Sequence, residues 1–291
     1  MSRVSAEFVE HARRGLTPWW AYVLTPILAM LLWVTVIVAA YIPAFIARLV
    51  PADFQTYAAD PSHPVFFYGF TGVIFALLLL AFVVAARLVH GKRFGDIVGA
   101  WRWKQFAAGA GLWIGVCIVS ALIDYAAHPS GFRLTLGPPT LGLAAVAIPA
   151  LAAQTFCEEF IFRGYATQGL YLATKRPLVA ALVSGLIFAS MHILNGWPQA
   201  ASALVFGIVT ALIFMRTGNL AFTYGLHLVN NLFGGIVVVS ASDVLHGSPG
   251  VFTQATPGLI WLDVAASIAA FALAWFVAAR LMSRARPDAA L

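Results

Sequence analysis

Hydrophobic residues fall into eight long runs, at 19–47, 65–89, 106–125, 141–171, 178–194, 200–215, 220–240 and 259–282, separated by short polar segments. A membrane-crossing helix needs about 20 mostly apolar residues, and most of these runs approach or exceed that length. The pattern predicts an all-α polytopic membrane protein with about eight transmembrane helices. The first run does not read as a signal peptide. Its polar leader reaches Pro18, the apolar stretch is too long, and no small-residue cleavage site follows. Three parts are expected: 1–140 with three spans, 141–240 as a catalytic core with four, and 241–291 with the last span and a basic tail.

Composition agrees with this and excludes an ordinary soluble fold. The chain is 62% hydrophobic and 10% charged, against about 25% charged residues in soluble domains. A net charge of +6 could suggest nucleic acid, but the basic residues sit where topology puts them. Arg3, Arg13 and Arg14 precede the first run, and Arg87, Lys92, Arg93, Arg102 and Lys104 lie around the second connection. Lys175, Arg176, Arg216, Arg280, Arg284 and Arg286 fall at later connections of the same parity. The alternate loops hold Arg48 and Arg133 with Asp53, Asp60 and Asp243. By the positive-inside rule both termini are expected in the cytoplasm, in a multi-pass protein of the inner (plasma) membrane whose partner is the lipid bilayer and not nucleic acid. Cys117 and Cys157 lie in apolar runs and do not form a disulfide framework.

A few ionisable side chains interrupt the apolar runs: Glu158, Glu159 and Arg163 in the fourth, His192 in the fifth and His227 in the seventh. A charge at mid-bilayer costs roughly 2.5–3.5 kcal/mol on insertion scales, so such groups face a partner or a wet cavity. Glu159 and Arg163 are four apart with the acid first, the better orientation for an ion pair on one helix face. Glu158 is turned about 100° from Glu159 and is free to point elsewhere. His227 and Asn231 also share a helix face. At about 1.5 Å per residue, His192 lies roughly 23 Å from Pro177, Glu158 roughly 25 Å from Lys175 and His227 roughly 16 Å from Arg216. Three helices can therefore bring these groups into one cavity, expected to be reached from the cytoplasmic half of the bilayer. Read singly, Glu158, Glu159 and Arg163 could form a structural ion-pair network, His192 could be a satisfied buried histidine, and His227 with Asn231 could be interhelical hydrogen bonding. His11, His63, His90, His128 and His246 fall in loops or at span ends and read as surface residues.

Glu158-Glu159-Phe160-Ile161-Phe162-Arg163-Gly164 resembles the first motif of the CPBP family, the CAAX prenyl protease 2-like or Abi intramembrane proteases. The family's second motif, an aromatic residue four before a histidine, is matched by Phe188 and His192, and the third by His227 and Asn231. The resemblance covers roughly 141–240. It implies a membrane endopeptidase acting on peptide or membrane-protein substrates, prenylated or not. In that reading Glu158 activates a water with help from His192, Glu159 and Arg163 order the helix, and His227 with Asn231 stabilises the oxyanion. Glu158, His192 and His227 are also a possible zinc ligand set with an open position, although no HExxH helix is present to specify zinc. Two other classes compete: a catalytically silent immunity or scaffold protein of the same fold, and a transporter with an intramembrane polar site. Paired repeats expected of the latter are absent from the sequence.

Overall fold

A computed structural model describes residues 4–241, 243–255 and 261–284. The basic tail around Arg286 lies outside the described residues. The chain is helical nearly throughout. A short helix α1 (Ala6–Arg13) precedes α2 (Trp19–Ile46), α3 (Phe54–Ala59), α4 (Pro64–His90), α5 (Phe94–Val98) and α6 (Trp103–Ala127). Next comes one long rod: α7 (Pro138–Glu158), a π-helical segment (Glu159–Ala166) and α8 (Thr167–Thr174). The core is completed by α9 (Pro177–Ser190), α10 (Trp197–Thr217) and α11 (Ala221–Leu232) with a π-helical extension (Phe233–Val237), followed by α12 (Trp261–Arg284).

Each predicted run coincides with a helix. Among the described residues six helices are long and apolar enough to cross a membrane: α2, α4, α6, the rod Pro138–Thr174, α10 and α12. The remaining two runs form shorter helices. α9 has 14 residues and stops at Ser190, so His192 lies beyond the helix and not within it. One feature has no counterpart in the hydropathy pattern. Strands β1 (Phe132–Leu134), β2 (Val238–Ser240) and β3 (Phe252–Gln254) form a small sheet in the order β1-β3-β2. β3 is antiparallel to β1, pairing Phe132 with Gln254, and parallel to β2, pairing Val238 with Phe252.

The two ends of the bundle differ. At one end α1 folds over the loops that carry the basic residues. Glu7 pairs with Arg102 at 2.7 Å, Arg14 with Asp96 at 2.9 Å, and the Ser5 amide donates to the Met215 carbonyl. Lys92 is fully buried there. Its ammonium donates to the His11 and Ala12 carbonyls, the open C-terminus of α1, and to Gln168 Oε1. His90 is likewise buried, with Nε2 2.8 Å from the Tyr165 hydroxyl. Both residues had read as loop or surface positions. α12 runs parallel to α10, with Ser202 bonded to Ser267 and the Arg216 guanidinium over Trp275, so its C-terminal end lies on the α1 side of the bundle. The sheet occupies the opposite end. Exposed Trp19, Trp103, Trp197 and Trp261 sit at helix starts, as an interfacial belt requires.

Small residues set the closest helix contacts. A Cβ at Gly207 would lie 2.7 Å from the Gly185 Cα, so α9 and α10 approach backbone to backbone, as membrane interfaces built on small residues do. This contact brings Phe188 on α9 and Phe206 on α10 together against the rod, their ring centroids 5.7 Å apart.

Candidate active site

The π-helical segment begins at Glu159. Here the Thr167 amide donates to the Phe162 carbonyl five residues back, and the same oxygen accepts the Thr167 and Ser184 hydroxyls at 2.9 Å each. Wide single turns of this kind concentrate at functional sites. Gly164 lets the widened turn lie on α5, since a Cβ there would meet Ile97 Cγ2 at 2.7 Å.

Glu159 and Arg163 are completely buried and pair at 3.4 Å, Nε to Oε1. Arg163 Nε also donates to Thr210 Oγ1 at 2.9 Å. Its guanidinium carbon lies 3.9 Å from the Phe188 ring centroid and 4.5 Å from that of Phe206, so the aromatic faces take the charge that hydrogen bonds do not. Phe188 has a second neighbour, the His192 ring at 4.6 Å. The aromatic residue of the second motif is thus sandwiched between the arginine and the histidine.

His227 joins the two carboxylates. Its Nδ1 is 2.9 Å from Glu159 Oε1 and its Nε2 is 3.6 Å from Glu158 Oε2. Glu158 retains 14% side-chain exposure, whereas Glu159 has none. Glu158 Oε1 accepts from Gln154 Nε2 at 2.6 Å. Glu158 Oε2 and Glu159 Oε2 are both buried with no hydrogen-bond partner among the described residues. Asn231 Nδ2 donates to Gln154 Oε1 and Thr155 Oγ1, both at 3.1 Å, and its Oδ1 accepts from Asn230, which also accepts from Trp113 Nε1.

Five of the six expected site residues therefore form one connected group: Glu158, Glu159, Arg163, His227 and Asn231. His192 touches the group only through Phe188, with Nδ1 donating to the Phe188 carbonyl at 2.9 Å. Gln154 and Thr155 belong to the site and had not been singled out. Gln154 carried a usable signal, an amide four residues before Glu158 on the same face of an apolar helix.

The depths also agree better than the straight-helix arithmetic. Gln168 Nε2 already donates to the Asp96 carbonyl at the level of the basic loops, so the rod passes that level well before Lys175. Measured from Gln168, Glu158 lies about 15 Å deep, matching His227.

The zinc ligand set does not assemble here. Among the described residues no three His, Cys, Asp or Glu side chains are grouped to hold a metal ion. Glu158 and His227 are close, but His192 stands apart. The arrangement of these three side chains does not fit a three-ligand metal.

Residues 140–233 match the family described as type II CAAX prenyl endopeptidase Rce1-like. The family recognised in the three motifs is thereby shown for this segment, which carries a domain of a membrane protease family. A curated relative, the uncharacterized protein YyaK of Bacillus subtilis (strain 168), is 25% identical over 211 residues, covering 69% of this chain and 68% of that protein. No solved structure matches.

Proposed function

We propose that this protein is an intramembrane endopeptidase of the plasma membrane, hydrolysing peptide bonds of membrane-associated or prenylated-type polypeptides with water activated by Glu158. One observation carries the assignment to this carboxylate. Of the two adjacent acids, Glu159 is completely buried and pairs with both Arg163 and His227, while the Glu158 side chain keeps 14% exposure and has no arginine partner among the described residues.

In the proposed cycle a water admitted beside Glu158 donates to its carboxylate. As the water oxygen adds to the scissile carbonyl carbon its proton passes to Glu158, which returns it to the leaving nitrogen when the C–N bond breaks. General-base catalysis of this kind contributes about 10²–10⁴ in rate. Glu159 fixes the tautomer of His227, because a carboxylate only accepts and Nδ1 must carry the proton. Nε2 of the neutral ring is then an acceptor, and it serves as an oxyanion donor only as imidazolium. Asn231 is the second donor, on exchanging its bond to Gln154 or Thr155. His192 assists from farther along the cleft and orients the incoming chain.

The test uses purified protein in liposomes with CAAX-type peptides, prenylated and unprenylated, beside Glu158→Gln. Cleavage by the wild type alone supports the reading. Equal cleavage by both proteins removes Glu158 from the mechanism. No cleavage by a monodisperse wild-type protein removes this substrate class.

A further inference from the structure

The surroundings of Glu158 are lopsided along the membrane normal. Toward the end carrying α1, the side chains packed beneath the ion pair are buried and bonded. Thr167 bonds to Ser184, Gln168 to the Asp96 carbonyl, and Arg163 to Thr210. Lys92 and α1 close that end, with Phe8 and Ala12 fully buried beneath it. No polypeptide passes through packing of this kind.

Toward the sheet end the polar groups continue and open. Gln154 on α7 and Asn231 on α11 lie about 6 Å farther out than Glu158 and His227, and both are partly exposed. Asn230 and Asn195 are exposed, and His192 is partly so. Gln154, Asn230 and Asn231 bond to one another, and polar side chains at membrane depth face the bundle interior or a water-filled cavity, so the exposed side of this row belongs to a water-filled cleft. The helices leave room for one. α9 packs on α10 and α8, and α7 packs on α4 and α11, while α9 meets the rod at its π-helical segment. α7 and α9 themselves scarcely touch, and the turn that follows α9 exposes Met191 and Leu194.

We infer that the Glu158 site opens to the sheet end of the bundle, opposite α1, through the cleft between α7 and α9, and that water and the substrate chain arrive by this route. This reverses the expectation of access from the half of the bilayer nearest the basic loops. The substrate part rests on the proposed hydrolysis. The sidedness of the opening does not.

Single cysteines in a Cys117→Ala/Cys157→Ala background test it. Asn195→Cys and Asn230→Cys are compared with Ser130→Cys at the sheet end and Lys104→Cys at the α1 end, all exposed positions. A charged, membrane-impermeant maleimide is applied to right-side-out and inverted vesicles. Labelling of 195 and 230 in the orientation that labels 130, with protection in the other, is expected. Labelling with 104, or labelling in neither orientation while detergent exposes the thiols, overturns the inference. Asn195→Cys lies in a turn outside the hydrogen-bonded group and decides the question alone if Asn230→Cys does not fold. The same labelling in a Glu158→Gln background separates the two ideas, because access persists there even if peptide hydrolysis is disproved.

Discussion

His227 holds Nδ1 2.9 Å from a carboxylate oxygen of Glu159, which makes the buried acid the anchor of the histidine as well as the partner of Arg163. Removing one member of a buried ion pair leaves the other charged and unpaired, at about 3–5 kcal/mol. Glu159→Gln and Arg163→Met are each expected to lower the melting temperature in detergent sharply. The Glu159→Gln/Arg163→Met double variant should recover much of the loss, since neither charge is then stranded. A double variant as unstable as the sum of the singles contradicts the pairing.

Glu158 behaves differently in this account. Glu158→Gln keeps the shape and an oxygen for the Gln154 donor, so the melting temperature should stay near wild type. Peptide hydrolysis should fall by about 10²–10⁴, the ordinary contribution of a general base. A loss of stability comparable to that of Glu159→Gln would place Glu158 in the structural group instead.

Gln154 ties Glu158 to Asn231 and gives a milder prediction. Gln154→Leu removes a hydrogen bond to a charged group, worth about 1.5–3 kcal/mol, which corresponds to about 10- to 100-fold in rate. Gln154→Glu should be worse, because a second carboxylate would face the first. Unchanged hydrolysis in Gln154→Leu contradicts a positioning role for the amide.

Lys92 supplies a pH test at the other end of the bundle. Burial pushes its ammonium down to about 8; Asp96 draws the value up and Arg14 presses it down further. In the unfolded chain the lysine value is about 10.4. Between those two values the unfolded chain binds more protons, so stability rises with pH over that window. The melting temperature of wild type should therefore gain on that of Lys92→Met as pH increases from about 8 to about 10. Parallel curves for the two proteins would contradict the burial of a charged Lys92.

The hydrophobic runs made the helices legible because lipid enforces a length and an apolar composition on every span. Glu158, Glu159, Arg163, His227 and Asn231 were legible for the complementary reason, since ionisable or amide side chains at such depth require partners. His192 was placed inside a helix because Ile193 and Leu194 continue the apolar run, whereas the helix ends at Ser190. The π-helical turn was invisible because it depends on Ser184 from another helix competing for the Phe162 carbonyl. Lys92 misled by type: a basic residue between spans usually faces water, and here the α1 carbonyls replace water. The three-residue strands were too short to alternate visibly.

The most direct test of the central claim needs no assumption about the substrate. New N- and C-termini are compared across the membrane proteome of cells carrying wild-type protein and cells carrying Glu158→Gln at matched abundance. The account predicts a set of termini in membrane-associated proteins that appears with wild type and vanishes in the variant. Identical terminal profiles, with the cellular phenotype of the wild type retained by Glu158→Gln, would contradict proteolysis and leave a binding or scaffold role for the same fold.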